Sequence, residues 1–245
     1  MARKQPTDTL EELESLGERL VGWIGTNPVL VLTVAGAILL VAAGYGGWRA
    51  WQGSRADRAS TALADVRSKY QVAMGGTASD AKIPEPANPE TARYVRTEYV
   101  ERFLEVARAH PGTAAAALAR LEASDLYAQL GNRDRALEVL QEGVTEQSAA
   151  SPIGGILESR IARLQEDAGH LEDAARAYEA AAAVPGYPLR SEALGDAARC
   201  WADAGKPDQA VALYAKLQSD SATGGSHLPP HIEARLRELQ AQARP

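Results

Sequence analysis

Two histidines stand four residues apart in His227-Leu-Pro-Pro-His231, the spacing that puts two imidazoles on one face of a helix. The prolines between them forbid a regular helical face, and no third ligand is evident, so no metal site is expected there. Cys200 is the single cysteine, which excludes an intramolecular disulfide and a Cys-rich metal centre. It lies beside Trp201 in a helical stretch and reads as packed rather than reactive. Neighbouring Arg199 could lower the thiol pKa, but no histidine-based nucleophile arrangement can be assembled around it. Neither a Gly-x-x-x-x-Gly-Lys-Ser/Thr phosphate loop nor a Gly-x-Ser-x-Gly elbow occurs. No enzyme, no cofactor and no small-molecule substrate are expected.

Function must therefore reside in surfaces, and the elements that present them follow from composition. The chain has 245 residues, 45% hydrophobic and 24% charged, enough to build one or two ordinary cores. Aromatic residues make up only 5%, alanine is plentiful, and β-branched residues gather in one N-terminal run. Helix is favoured almost everywhere else, and an all-α fold is expected. A net charge of −6, with Lys and Arg interspersed among Asp and Glu, argues against nucleic-acid binding.

Between Arg19 and Arg49 no Asp, Glu, Lys or Arg occurs, and the run from Pro28 to Gly47 is apolar apart from Thr33 and Tyr45. A bilayer core takes roughly 20 such residues as helix, so residues 27–48 are expected to be a single transmembrane helix. Trp23 near one end and Tyr45, Trp48 and Trp51 near the other suit the two headgroup regions. A cleaved signal peptide is the alternative. Its apolar core is usually shorter and follows a short basic segment. Here an acidic segment, 1–26, with Asp8, Glu11, Glu12, Glu14 and Glu18, precedes the run. Orientation stays open on charge alone: Arg3, Lys4 and Arg19 precede the helix, while Arg49, Arg55, Arg58 and Arg67 follow it.

Beyond residue 49, three stretches share one pattern: Gly131 with Ala136 and Leu140, Gly169 with Ala174 and Tyr178, and Gly205 with Ala210 and Tyr214. The glycines fall 38 and 36 residues apart, the period of a helical-hairpin solenoid. Each glycine supplies the left-handed residue that ends a first helix. The alanine lets the second helix cross closely, and the large side chain fills the space the alanine leaves. Residues 49–112 are expected to hold membrane-proximal helices and a Pro-rich loop at 77–89. Residues 113–218 form three repeats, and 219–245 a linker and a capping helix over 230–242, the lid that a terminal repeat needs.

This pattern resembles the tetratricopeptide repeat. In register, Ser124, Ala162 and Ala198 occupy the small first-helix position; Tyr127 and Trp201 occupy the aromatic one, where Gln165 departs. Leu121 and Asp125, Ser159 and Arg163, and Gly195 and Arg199 then face the concave side, which makes Asp125, Arg163 and Arg199 candidates for a partner groove. Solvated surface or salt bridges within the solenoid are the alternative for each. Leu121 with Asp125 does not reproduce the Lys/Asn/Arg set with which some such repeats grip a C-terminal carboxylate.

Gly47-Trp48-Arg49-Ala50-Trp51, followed by Ser54 and Asp57-Arg-Ala-Ser60, resembles the post-membrane segment of the ancillary SecYEG translocon subunit family. Pro111-Gly-Thr113, Arg160-Ile-Ala-Arg163 and Gly195-Asp196 extend the likeness across about residues 10 to 220. The resemblance implies a bacterial inner-membrane protein with a cytoplasmic N-terminus and periplasmic repeats. Its partners would be the Sec translocon and a membrane-anchored periplasmic chaperone, and it would help newly translocated proteins. Two other readings stay open: an envelope scaffold or division factor using the same repeats, and a cytoplasmic membrane-tethered adaptor.

Overall fold

The computed structural model describes residues 26–77, 82–148 and 151–224, together with 230, 234, 237 and 238. Trp23, His227 and His231 lie outside the described residues, as does the N-terminal segment up to residue 25. Of the expected capping helix, only 230, 234, 237 and 238 are described, each of them helical. The elements are α1 (Pro28–Ala73), α2 (Pro89–Ala109), α3 (Ala114–Gln129), α4 (Arg133–Glu146), α5 (Pro152–Asp167), α6 (Leu171–Ala183), α7 (Arg190–Asp203) and α8 (Pro207–Gly224). The chain divides into two compact units, Met1–Ser54 and Arg55–Pro245.

In the first unit the apolar side chains of Val29, Leu32 and Ile38 through Val41 are exposed. The Thr33 hydroxyl donates to the Val29 carbonyl at 2.7 Å, which satisfies it within the helix. The rings of Tyr45 and Trp48 stand 6.2 Å apart, both exposed. Residues 27–48 were expected as a membrane helix. Among the described residues, no helix is long and apolar enough to cross a membrane. The side chains of Val31, Val34 and Ala35, in the middle of the apolar run, lie outside the described residues.

The second unit is a stack of helical hairpins. Gly131, Gly169 and Gly205 all have positive φ, 80°, 79° and 75°. At Gly131 the N–H of Asn132 reaches back to the Tyr127 carbonyl at 2.8 Å, and the glycine's own N–H reaches the Ala128 carbonyl at 3.0 Å. The same two bonds recur at Gly169 and at Gly205, a Schellman closure that supplies the orphan carbonyls of a helix end. The second helices begin at once. Ala136, Ala174 and Ala210 are fully buried where each second helix crosses its first, and Leu140, Tyr178 and Tyr214 are buried one turn on. Ser124, Ala162 and Ala198 are equally buried on the first helices. At the position lacking an aromatic, the Gln165 side-chain oxygen lies 2.9 Å from His170 Nδ1, tying the helix end to the turn.

A fourth hairpin precedes these three. Gly75 also has positive φ, and the N–H groups of Gly75 and Gly76 bond to the carbonyls of Val72 and Gln71, both at 2.9 Å. The second helix of this pair is α2, where Pro89-Glu-Thr-Ala92 matches Pro207-Asp-Gln-Ala210 and Ala92 is fully buried. Asn88 caps it by accepting from the Glu90 N–H at 2.9 Å. Tyr70, Tyr99 and Phe103 fill the crossing, Tyr70 lying 5.2 Å from Tyr99 and 6.2 Å from Phe103 by ring centroids. The glycine-to-alanine interval has grown to hold the Pro-rich turn, so the residues expected as membrane-proximal helices are themselves a repeat-like pair.

Three buried clusters run through the stack, one over α1 to α4, one linking α3, α4 and α5, and one over α5 to α8. Within the first, the Ser124 hydroxyl is fully buried without a hydrogen-bond partner, where the other repeats carry alanine. Ser124→Ala is expected to stabilise the protein by about 1 kcal/mol, the scale of an unmet buried hydroxyl. Thermal unfolding followed by circular dichroism should rise by roughly 2–4 °C, as expected for a domain of this size. Ala162→Ser should move it the opposite way.

Candidate functional site

The first helices of the three repeats enclose an open cleft of about 640 Å³. From α3 come Leu121 and Asp125; from α5 come Ile156, Ser159, Arg160 and Arg163. Leu189, Glu192 and Asp196 line the side formed by the start of α7, with Tyr187 from the preceding turn. That turn is set by Pro185 and by Gly186, which has φ 71°. It lays the Tyr187 ring flat against Gly155 of α5, where a Cβ would stand 2.5 Å from two ring carbons. Only glycine admits the ring. The Tyr187 hydroxyl meets the Ser159 hydroxyl at 2.8 Å, which locks the turn to the cleft wall.

Charge in the cleft is partly matched internally. Asp125 pairs with Arg160 across the α3–α5 junction, and burial nonetheless raises the carboxyl pKa against the pull of Arg160 and Arg163. Arg163 is exposed and makes no ion pair among the described residues; its side chain meets the Tyr178 hydroxyl. Burial, aided by Asp196 and Glu166, pushes that phenol up to about 12, so it stays neutral and offers Arg163 a hydrogen bond rather than an ion pair. Glu192 likewise has no ion pair among the described residues. Ile156 and Leu189 are 38% and 49% exposed beside them.

The chain matches the family of tetratricopeptide repeat-like domains over residues 22–241. It belongs to that family. Two crystal structures described as Podosopora anserina putative kinesin light chain nearly identical TPR-like repeats, one of them a single-substitution variant, are similar to it at 17% identity. Each covers 74% of this chain and 89% of its own, with a TM-score of 0.49. No curated protein matches the chain. Tetratricopeptide-like repeats are protein-interaction surfaces, and the cleft lies on the helices that present them.

Within this tetratricopeptide-like frame the three groove candidates separate. Asp125 and Arg163 line the cleft, Asp125 already engaged by Arg160. Arg199 is not among the lining residues: both its terminal nitrogens bond to Glu166, at 2.7 and 3.0 Å, and one reaches Asp196 at 3.3 Å. Gly195, expected on the concave side, does not line the cleft either; Glu192 and Asp196 do. Arg199 thus clasps α5 to α7, as Arg160 clasps α3 to α5 and Arg67 clasps α1 to α3 through Glu122 at 2.7 Å.

Other polar features also serve the frame. Arg120, almost fully buried, is held by Glu142 and Glu146 of α4, and Gly143 between them leaves room for its chain. Two glutamates four apart opposite an arginine in an alanine-rich helix were the available sequence signal. Trp201 donates from Nε1 to Glu179 at 2.7 Å and is flanked by Arg176 and Lys206. Burial pushes the Cys200 thiol up to about 11, which keeps it protonated and unreactive at neutral pH. Among the described residues no group of three His, Cys, Asp or Glu side chains could hold a metal ion.

Gly155→Ala is expected to destabilise the protein by about 1–3 kcal/mol through overpacking against Tyr187. In a Tyr187→Gly background, which also removes the Cβ that would lie 3.1 Å away, the same change should instead be stabilising, by up to about 1 kcal/mol, because alanine is the better helix former. Chemical denaturation of the four proteins reads this sign reversal. A second test concerns Glu166, whose pKa the Arg199 hydrogen bond holds below the ordinary carboxylate value. The pair therefore stabilises the fold above about pH 4.3, the unfolded value, and is lost as pH falls through the lowered folded value. Glu166→Gln should be less stable than wild type at pH 7, the gap closing as melts are taken down through pH 4.

Proposed function

We propose that the protein is a non-enzymatic, membrane-anchored interaction module that serves the Sec translocon, presenting its repeats to a periplasmic chaperone that receives newly translocated proteins. The observation that carries the interaction role is the open cleft across α3, α5 and α7, where exposed Ile156 and Leu189 stand beside the unpaired charges of Arg163 and Glu192. Membrane anchorage is supported by the absence of charge between Arg19 and Arg49 and by the exposed apolar side chains of Val29, Leu32 and Ile38 through Val41 on α1. The exposed Tyr45 and Trp48, beside Arg49, suit an interfacial collar. The translocon, the chaperone and the periplasmic side rest on the resemblance carried by Gly47-Trp48-Arg49-Ala50-Trp51 and the segments that follow it.

A photo-crosslinking amino acid placed at Ile156 or Leu189 in living cells should capture a membrane-anchored chaperone, and at Trp51 a translocon subunit. Recovery of division or envelope-assembly proteins in their place would favour the scaffold reading. In right-side-out spheroplasts, added protease should remove the repeats without membrane disruption; protection until lysis would place them in the cytoplasm.

A further inference from the structure

The cleft carries charge information that its outline alone does not. Of its five ionised side chains, three are matched: Asp125 with Arg160, and Asp196 with Arg199 from outside the cleft. Arg163 and Glu192 are left, one cation and one anion, and neither has an ion pair among the described residues. Ile156 and Arg163 are seven residues apart on α5, two helical turns, or about 10 Å at 1.5 Å per residue. Ile156 and Glu192 occupy the same place in their own helices, each 13 residues before the closing glycine, Gly169 or Gly205. Glu192 therefore stands level with Ile156 but on the neighbouring helix α7, so Arg163 lies about 10 Å along the helices and about 9 Å across from it, roughly 13 Å on the diagonal. The exposed side chains of Ile156 and Leu189 are apolar, and Leu121 adds to them.

We infer that the cleft is selective for an extended segment of a partner polypeptide in which an acidic and a basic side chain stand four residues apart with apolar residues between them. An extended chain advances about 3.3 Å per residue and alternates its side chains, so residues four apart span about 13 Å and face the same side. The acidic side chain meets Arg163, the basic one meets Glu192, and the intervening apolar groups cover Ile156 and Leu189. A segment with two acids places one against Glu192, and a segment with two bases places one against Arg163. Each mismatch sets like charges together in a partly desolvated site, where repulsion discriminates partners better than attraction binds them. The inference rests on the cleft being the partner-binding surface and adds what that surface selects.

The test uses the full chain in mild detergent and four fluorescent peptides of one apolar sequence, differing only at two positions four apart: acid with base, two acids, two bases, or two glutamines. Anisotropy titration should rank the mixed-charge peptide first, with about a fivefold loss for each mismatched end, the upper range for a single exposed pair. Arg163→Glu should move the preference to the two-base peptide, and Glu192→Lys to the two-acid peptide. Both side chains are solvent-facing, and unchanged melts will show that each variant folds. Binding of all four peptides with equal affinity by wild type and variants would overturn the charge selection and leave the cleft as a docking surface. Failure of every peptide to bind, including at an Ile156 crosslinker that does capture a protein in cells, would overturn the extended-segment inference while keeping the interaction role. If that crosslinker captures nothing either, both readings fall.

Discussion

Paired helices in this protein approach one another at side chains no larger than serine, and the stack depends on that close contact. Ala92, Ala136, Ala174 and Ala210 sit at full burial on second helices, opposed by Ser124, Ala162 and Ala198 on the first helices of the repeats. A larger residue at any of these points would separate a hairpin and the aromatic or leucine side chain packed one turn away. Because the contact is the same in each hairpin, the first helices come into a common alignment. Their outward faces can then line one cleft. Gly155 extends the principle to the site itself, where the absence of a side chain seats Tyr187 in the wall.

Charged residues divide their work along this frame. Arginines that clasp neighbouring first helices are spent on structure, and the half-exposed ones are individually weak. What remains for recognition is small: one arginine, one glutamate and a few exposed apolar groups. That economy explains why the concave face of a chain with net charge −6 is neither strongly acidic nor basic. On the proposed reading it selects a short pattern of side chains rather than attracting a highly charged ligand.

The repeats were legible in the sequence because their signal is local. A glycine that must adopt positive φ, followed five residues later by an alanine that must be small, fixes both the turn and the crossing at Gly131, Gly169 and Gly205. The hairpin of α1 with α2 obeys the same rule, but the Pro-rich turn separates its glycine from Ala92 and breaks the spacing that carries the pattern. The cleft was legible in part. Helical register placed Asp125 and Arg163 on its wall, whereas Arg199 follows its contact with Glu166, 33 residues away, and no spacing on its own helix encodes that partner. Tyr187 depends on a turn and on the backbone of another helix, and so is visible only once both are folded.

The junction pairs also differ in polarity. Across α1 and α3 the cation, Arg67, is on the earlier helix and the acid on the later, while across α3–α5 and α5–α7 the acid comes first. Of the three pairs, only the first has its carboxylate on the later helix. Arg160 holds the place of Glu122, each nine residues before its closing glycine, so were α5 to dock directly on α1, skipping a repeat, Arg67 would face Arg160. The reversal sets two cations together in that one out-of-order pairing and so disfavours it.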